Sequence, residues 1–306
     1  YEQWVYREHN GGVNGGLTEL AYLPEAKVGH AIMINSDNGG AFRDISKLVR
    51  AFETRQLPEK TVTGERSVSD ANRAIEGYYQ PVNPRQQVGY FLERVLNVQK
   101  LWFSGDRLAR KAMFDDETIY YFPVSDHLYR SVKYGAITIS HTTDPLAGEV
   151  VHIGMSTVKP VSAALVYTQL GVGVLWGLAI LTSSLFFLVW IVRKMRGKIG
   201  GGATIRIRLW PLLAGASAIA FVGLFLVGVN DPFKRLGAPT PISISIMLAT
   251  LAFAVFAALG AYTAFRERGT QMNRGAYWHS AAASVVHLAV AMYLLSFGII
   301  GLMTWA

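Results

Sequence analysis

Residues 163–192 read AALVYTQLGVGVLWGLAILTSSLFFLVWIV, a stretch without a single charged side chain. A bilayer core is crossed by about 20 apolar residues in helical form, because lipid offers no partner for a backbone N–H or C=O group. A soluble helix of this length would have a polar face, and this stretch has none. The stretch therefore predicts a membrane-spanning helix, and the basic run RKMRGK at 193–198 marks its end.

Three further stretches without Lys, Arg, Asp or Glu predict membrane-spanning helices over 209–229, 242–265 and 277–305. Pro211 is predicted in the first turn of its helix, where a missing N–H group costs nothing. The chain from residue 160 onward is thus predicted to be a four-helix transmembrane domain, 160–306, whose partner is the lipid bilayer.

The charges of the connecting loops predict how these helices are oriented. Residues 193–208 contain six basic residues and no acid, and residues 266–274 contain three Arg and one Glu. The positive-inside rule assigns both loops to the cytoplasm. We therefore expect a multi-pass protein of the bacterial inner membrane, with residues 1–162 and the C-terminus on the periplasmic or extracellular side.

The net charge of +8 does not indicate nucleic-acid binding. Residues 160–306 contain 11 basic and 2 acidic residues, whereas residues 1–159 contain 18 and 19. The basic excess therefore belongs to membrane topology rather than to a phosphate-binding face, and we exclude nucleic acid as a partner. The absence of cysteine excludes disulfides, thiolate metal sites and a cysteine nucleophile, and we expect no cofactor.

The first 57 residues predict three strands followed by a helix. Residues 4–8, 17–23 and 28–35 have strand character, and Asp37 or Asn38 can cap a helix that begins near Gly40. The apolar run at 31–34 lacks alternation, which predicts a central strand covered on both faces. One helix face is predicted to meet the core through Phe42, Ile45, Leu48, Val49 and Phe52. The opposite face would carry Arg43, Asp44, Lys47, Arg50 and Glu53.

A motif in this segment resembles a known enzyme family. His9-Asn10-Gly11-Gly12 is followed by GLTELAYLPE at 16–25, by AIMINS at 31–36 and by the amphipathic helix. This order resembles the C-terminal end of the class C β-lactamase and penicillin-binding-protein-like serine hydrolases. The third active-site motif of that family is Lys-Thr-Gly or His-x-Gly on an edge strand, and His9-Asn10-Gly11 matches the second form.

The resemblance implies that residues 1–57 complete a β-lactamase-like domain that cleaves an amide or ester through a serine acyl-enzyme. The side chain of His9 would contact a substrate carboxylate or assist proton transfer. Gly11, which has no side chain, would leave room for the substrate to lie along the strand. The N–H group of Gly12 would donate to the oxyanion. The substrate would be a small molecule or a peptide, and a β-lactam, a D-amino-acid peptide and an ester all remain open.

The serine nucleophile of that family is not in this chain. Its Ser-x-x-Lys and Tyr-x-Asn motifs precede the third motif, so we expect a further segment before Tyr1, as export of residues 1–162 would also require. Similar strings occur out of order, and we interpret them as coincidence. They are Ser156-Thr157-Val158-Lys159, Ser36-Asp37-Asn38 and Lys60-Thr61-Val62. The competing interpretation of His9 is a turn histidine that bonds a neighbouring backbone group.

Residues 58–76 are predicted to be a linker, and residues 77–159 a small antiparallel β domain with a short helix over 84–95. The domain resembles the lipocalin-like accessory domain of the same family. Its aromatic residues indicate a core more than a ligand pocket. We expect no metal site, because the ligand spacing is wrong at His127, His141 and His152.

Within the membrane half, Gly173 and Gly177 form a Gly-x-x-x-Gly string, and Ala254 and Ala258 repeat its spacing. Both pairs predict close helix contacts within one chain. His287 lies deep in the last helix and is a functional candidate by depth, although no His or carboxylate on another helix is available as its partner.

The sequence therefore predicts a multidomain protein, with a partial α+β domain, a small β domain and four transmembrane helices. Its function is predicted as the C-terminal portion of a membrane-anchored, exported serine hydrolase. The alternatives are a non-catalytic membrane protein whose β domain binds a partner or ligand, and a truncated inactive remnant. Whether this chain is itself an enzyme, and its oligomeric state, stay open.

Overall fold

The computed structural model describes residues 1, 4–58, 64, 66–84, 86–269 and 272–306. They divide into two compact units. One comprises Tyr1–Arg85 and Leu92–Ala163, and the other comprises Gln86–Phe91 and Ala164–Ala306. The first unit contains a three-stranded sheet, its helix and a closed barrel, and the second contains the long apolar helices.

The N-terminal sheet is antiparallel and has the order β1-β2-β3, with β1 Arg7–Val13, β2 Gly16–Leu23 and β3 Val28–Ile34. It is followed by α1, Gly39–Thr54, which Asn38 caps by accepting a hydrogen bond from the Ala41 N–H group. The order strand, strand, strand, helix is the one that the sequence predicted.

Two details of this sheet differ from the prediction. The first strand begins at Arg7 rather than at Trp4, whose side chain is buried. The run at 31–34 lies in β3, an edge strand, and β2 is the central strand. Only one face of β3 is covered, so Ile32 is buried while Met33 is 76% exposed.

The face that α1 turns to the sheet also differs from the prediction. Ser46 and Thr54 are buried, and Arg50 and Glu53 make ion pairs with sheet residues. The apolar stripe lies roughly a third of a turn away at 100° per residue. It leaves three large side chains exposed: Ile45, Leu48 and Phe52. Charged groups face the sheet because carboxylates and a histidine on the strands pair with them.

The predicted small β domain is a closed antiparallel barrel of eight strands. Their order is β10-β11-β4-β5-β6-β7-β8-β9. The strands are β4 Gly77–Pro81, β5 Gln99–Ser104, β6 Arg107–Ala112, β7 Ile119–Pro123, β8 Leu128–Ser131, β9 Ile137–Asp144, β10 Gly148–Ile153 and β11 Ser156–Val161. Buried side chains fill the interior, as expected for a barrel of this size. They include Tyr79, Leu101, Leu108, Tyr121, Tyr129 and Ile139.

The segment expected to be a linker, 58–76, contributes to the barrel unit at its end. A one-turn helix, α2 Asp70–Arg73, starts at Ser69 with a capping box that includes Asn72. The side chain of Asn72 is fully buried and donates to the Ser125 carbonyl oxygen at 2.8 Å. Ile75 lies in the barrel core. Between β4 and β5 the chain forms a short helix, α3 Tyr90–Leu96.

Among the described residues of the second unit, four helices are long and apolar enough to cross a membrane, as predicted. They are α4 Ala163–Met195, α5 Gly202–Val229, α7 Pro241–Arg266 and α8 Arg274–Ser296, with the one-turn α6 Pro232–Arg235 between α5 and α7. Because α5 begins at Gly202, Pro211 lies inside this helix rather than in its first turn. The helix α8 ends at Ser296 rather than near residue 305, and Gly298 and Gly301 follow with positive φ.

Of the four small residues predicted at helix contacts, Ala254 packs against the core of the bundle, and the tightest contact of α7 with α8 lies at another residue. A Cβ atom added at Gly173 or Gly177 would meet nothing within 4 Å in the described part of the chain. At Gly260 of α7, a Cβ atom would lie 2.7 Å from the Ser284 Oγ atom of α8. Ala258 is exposed, whereas Ala257 is fully buried. The tight contact within the bundle is therefore centred on Gly260.

Candidate functional site

The strand β1 carries the predicted site residues along a free sheet edge. It pairs with β2 on one side, and in the described part of the chain no strand pairs with its other side. Successive side chains of a strand point to opposite faces. His9 and Gly11 therefore share one face with their register partners Leu20 and Thr18. All four residues are exposed, and α1 lies against the opposite face.

Gly11 leaves room on this open face for the side chain of Thr18. A Cβ atom at Gly11 would lie 2.6 Å from the Thr18 Oγ1 atom, so a larger residue there would require the exposed threonine to rotate. Thr18 in turn donates a hydrogen bond to the Gly11 carbonyl oxygen at 3.4 Å. At Gly11 the strand therefore has no side chain projecting from its surface directly beside His9.

Asn10 and Gly12 belong to the helix-covered face, so the structure divides the motif between two sides of the strand. Asn10 is the register partner of Glu19, and both residues line a groove of about 570 Å³. Arg50 and Lys47 of α1 form the other side of this groove. The open face and the groove are therefore separated by the thickness of one strand.

A buried ion cluster lies on the helix-covered face. The Nε2 atom of His30 is 2.8 Å from a Glu19 oxygen, and the Nδ1 atom is 3.0 Å from a Glu53 oxygen. The three side chains are 8%, 4% and 10% exposed. Each ring nitrogen of His30 therefore contacts a carboxylate oxygen, one from β2 and one from α1.

Arg50 extends the cluster to β1. Its Nη2 atom donates to Glu19 at 2.8 Å and also to Glu8, the residue before His9. Tyr6 donates from its hydroxyl to Glu53 at 2.9 Å, and its ring lies beneath the Arg50 guanidinium. One cation of α1 therefore holds the first two strands together.

The electrostatics of this cluster favour its charged form. Burial alone would raise the pKa of Glu19, but hydrogen bonds from Arg50 and His30 outweigh burial and lower it. Burial alone would lower the pKa of Arg50, but its bonds to Glu19 and Glu8 raise it. Burial and the bond to Glu53 raise the pKa of the Tyr6 hydroxyl.

The sequence interpretation missed this cluster because it assigned Arg50 and Glu53 to the outward helix face. A signal was present in β2, where Glu19 interrupts the alternating apolar positions Leu17, Ala21 and Leu23. A carboxylate at a core-facing strand position needs a cationic partner, since burying an unpaired charge is expensive. That requirement pointed to a basic residue on α1.

The structure gives two of the motif-like strings ordinary structural roles. Ser156 and Lys159 lie in β11, where residues three apart point to opposite faces, so they cannot act as a pair. Asp37 accepts a hydrogen bond from the Gly15 N–H group at 2.8 Å, and Asn38 caps α1. The string at 60–62 lies outside the described residues.

The three barrel histidines contact neighbouring side chains. The rings of His127 and His141 are 6.2 Å apart, and His141 contacts Glu149 at 2.8 Å. Across the described ranges, no group of three His, Cys, Asp or Glu residues could hold a metal ion. His152 contacts Thr157 instead, at 3.0 Å.

His287 has a partner on another helix, of a type that the sequence interpretation did not consider. The Trp176 indole N–H group of α4 donates to His287 Nδ1 at 3.1 Å, and Phe253 of α7 contacts the His287 ring edge-on at 5.9 Å. The histidine is fully buried. The hydrogen bond and the ring contact together tie three helices within an apolar bundle.

No family model and no curated protein matches the sequence. Among solved structures, the chain is similar to one described as "Crystal structure of SurE with D-Leu", at 15% identity and a TM-score of 0.27. The match covers 53% of this chain, which spans about a third of that protein, 36% of its length. At this TM-score the likeness carries no argument about fold or function.

Proposed function

We propose that residues 1–57 are the part of a serine hydrolase domain of the β-lactamase-related family that carries its third active-site motif. Four helices would anchor this domain to a membrane. One observation carries this proposal: His9 and Gly11 stand side by side on the open face of an edge strand, while a helix covers the other face. An open edge and a low glycine surface are what an extended acyl substrate needs in order to lie along a strand.

The reaction that we propose for this motif is acyl transfer. A serine from a Ser-x-x-Lys element encoded outside residues 1–306 would attack the acyl carbon. His9 would bind the substrate carboxylate or pass a proton, and the Gly12 N–H group would donate to the developing oxyanion. One such donor typically lowers the barrier by about 3–4 kcal/mol.

The buried ion cluster supports this role because catalysis requires that the strand carrying the motif, β1, be held rigidly. Arg50 binds Glu8, directly before His9, and Glu19, opposite Asn10 in register. Its two ion pairs fix β1 relative to the rest of the sheet without using a residue of the open face. Arg50 is thus assigned as a positioning residue.

The remaining parts of the chain are assigned to support. The barrel, lipocalin-like in outline, has an interior filled by side chains, which favours an accessory role over small-ligand transport. The basic loop after α4 supports a cytoplasmic position for that loop in a bacterial inner membrane. Residues 1–162 would then be exported, where substrates of the cell envelope are available.

The first test is the gene that encodes this chain. The proposal requires Ser-x-x-Lys and Tyr-x-Asn elements upstream of the codon for Tyr1, in that order. The complete gene product should then be labelled covalently by a fluorescent phosphonate or penicillin probe. We expect His9→Ala to slow labelling by about a hundredfold, the usual weight of one acid–base group.

The matched control is His127→Ala, which removes an exposed histidine of the barrel and should label at the normal rate. A gene without the two upstream elements, or a complete product that reacts with neither probe, would contradict the hydrolase assignment. That outcome would favour the non-catalytic alternative, in which the exported β domain binds a partner. The profile of β-lactam, D-amino-acid peptide and ester substrates would identify the substrate class.

A further inference from the structure

A second site lies in the helical unit, far along the chain from the motif of β1. A cavity of about 330 Å³ is bounded by the end of α4, the loop that follows it, and the first turns of α5 and α8. Its polar wall contains three basic side chains, from Arg193, Lys198 and Arg208. Its apolar wall includes Phe186 and Trp190.

Arg208 is the residue that distinguishes this cavity from an ordinary basic surface. It is only 7% exposed. Its Nη1 atom donates to the Thr204 carbonyl oxygen of its own helix, and its buried Nε atom has no hydrogen-bond partner in the described part of the chain. Burying a charged group without a counter-charge is strongly unfavourable, so this guanidinium requires an anion.

The helical unit has no carboxylate to spare for Arg208. From residue 164 onward the sequence contains two acids, Asp231 and Glu267. Glu267 pairs with Arg206 at 2.9 Å, and Asp231 pairs with Lys234 at 3.6 Å. Neither acid lines the cavity. The counter-charge of Arg208 therefore does not come from this unit.

Two helix ends add to the positive potential of the cavity. The helix α5 begins at Gly202 and α8 begins at Arg274, and the cavity is lined by Thr204 and by Asn273, the N-cap of α8. Backbone N–H groups in the first turn of a helix carry partial positive charge and attract anions. Beside them, the apolar wall suits the glycerol and acyl carbons next to a lipid headgroup.

We propose that this cavity binds the phosphate group of an anionic phosphate ester. A guanidinium matches phosphate oxygens with two parallel N–H donors, and Arg193 and Lys198 close the site with two further positive charges. A phospholipid headgroup and a soluble phosphate compound share this chemistry. The inference is independent of the hydrolase proposal, since it uses residues of the helical unit alone.

The experiment uses the full chain, purified in detergent and stripped of lipid. Thermal unfolding and equilibrium binding are measured with phosphatidylglycerol, with phosphatidylcholine and with inorganic phosphate. We expect phosphatidylglycerol or inorganic phosphate to raise the unfolding midpoint and phosphatidylcholine, which has no net charge, to have a smaller effect. In Arg208→Gln, binding of the effective probe should weaken by about tenfold or more, as for loss of a charged hydrogen bond.

The matched control is Arg196→Gln, which removes the same charge from the loop after α4, at a residue that does not line the cavity. It should bind like the wild type. Lys198→Gln, an exposed position at the cavity rim, should weaken binding without affecting the fold. Without any probe, Arg208→Gln should unfold at the same temperature as the wild type or higher, because the variant no longer buries an unpaired charge.

The choice of effective probe identifies the source of the phosphate. A response to phosphatidylglycerol alone assigns a lipid headgroup, and a response to inorganic phosphate assigns a soluble compound. The proposal is overturned if neither probe binds, or if Arg208→Gln binds as tightly as the wild type. It is also overturned if Arg196→Gln weakens binding as much as Arg208→Gln does.

Discussion

Single charged residues determine how the N-terminal helix meets its sheet. Glu8 and Glu19 on the strands, with Arg50 on α1, form a contact that an amphipathic pattern would assign to apolar side chains. Such a contact contributes little compared with an apolar one of the same shape, but it is costly to break on one side. Its value lies in fixing one orientation of the helix.

Arg50→Met tests this interpretation at the level of one side chain. The substitution removes the Arg50 bonds to Glu8 and to buried Glu19, which keeps only its contact with His30, so we expect the N-terminal sheet to lose about 1–3 kcal/mol of stability. Hydrogen exchange of α1 and β1 amides in the full chain measures the loss. Arg43→Met, at an exposed arginine of α1 that makes no ion pair in the described part of the chain, should change exchange little. Equal exchange rates in the two variants would contradict the assigned role of the cluster.

At the scale of elements, the structure also makes the barrel sensitive to alkaline pH. Tyr79 of β4 is buried in the barrel core and donates to the Ile75 carbonyl oxygen at 2.9 Å. Burial raises the pKa of the Tyr79 hydroxyl from 10.0 to about 12. The folded barrel therefore holds the proton more tightly than the unfolded chain does.

We expect the barrel to keep its full stability below pH 10 and to lose it progressively as the pH rises towards 12. Circular dichroism against pH, recorded with tyrosinate absorbance, measures this loss. Tyr79→Phe should weaken the dependence, although Tyr129, whose pKa burial also raises, remains. Tyr120→Phe at an exposed position should leave it unchanged. A barrel whose tyrosines titrate without unfolding would contradict the expectation.

The transmembrane helices offer a matched pair of glycines. Gly260→Val should disrupt the contact of α7 with Ser284, because even a Cβ atom at Gly260 lies 2.7 Å from the Ser284 Oγ atom. We expect a loss of about 1–3 kcal/mol or more, as for overpacking a tight core. Gly173→Val in α4 meets open space and should cost much less. Unfolding midpoints in detergent compare the two variants, and similar losses would show that Gly260 is not the packing centre.

The elements that the sequence predicted well are those with a strong local pattern. The four apolar helices follow from length and absence of charge, and most barrel strands follow from turn signals between apolar segments. The strands β4 and β11 were not predicted, and in β11 Ser156, Lys159 and Pro160 have little strand character. The face of α1 was missed because the partners of its charges, Glu19 and His30, are distant in sequence.

The candidate site was likewise predictable where it depends on a local sequence pattern and not where it depends on residues distant in sequence. The position of His9 and Gly11 on an edge strand could be expected from the motif, since a strand and its alternation are local properties. The cluster behind them depends on Arg50, which lies 42 residues from Glu8 in sequence. No local pattern reveals a contact of that kind, although the isolated Glu19 in β2 requires one.

For the whole molecule, the predicted topology places the barrel and the basic loop on opposite sides of one membrane span. The chain lacks cysteine, so single cysteines report position without a background. In intact cells, a membrane-impermeant maleimide should label Leu146→Cys at a barrel hairpin and should label Met195→Cys only after lysis. Both native residues are highly exposed. Labelling of the two variants under the same conditions would contradict the topology.

The closure of the barrel has a consequence for how such a chain arises. The first barrel strand pairs with the last, and Tyr78 stands opposite Val161 in register. The polypeptide therefore enters and leaves the barrel at neighbouring points, as inserted modules commonly do. A single recombination event can therefore insert, remove or exchange the barrel while the segments on either side of it keep their sequence.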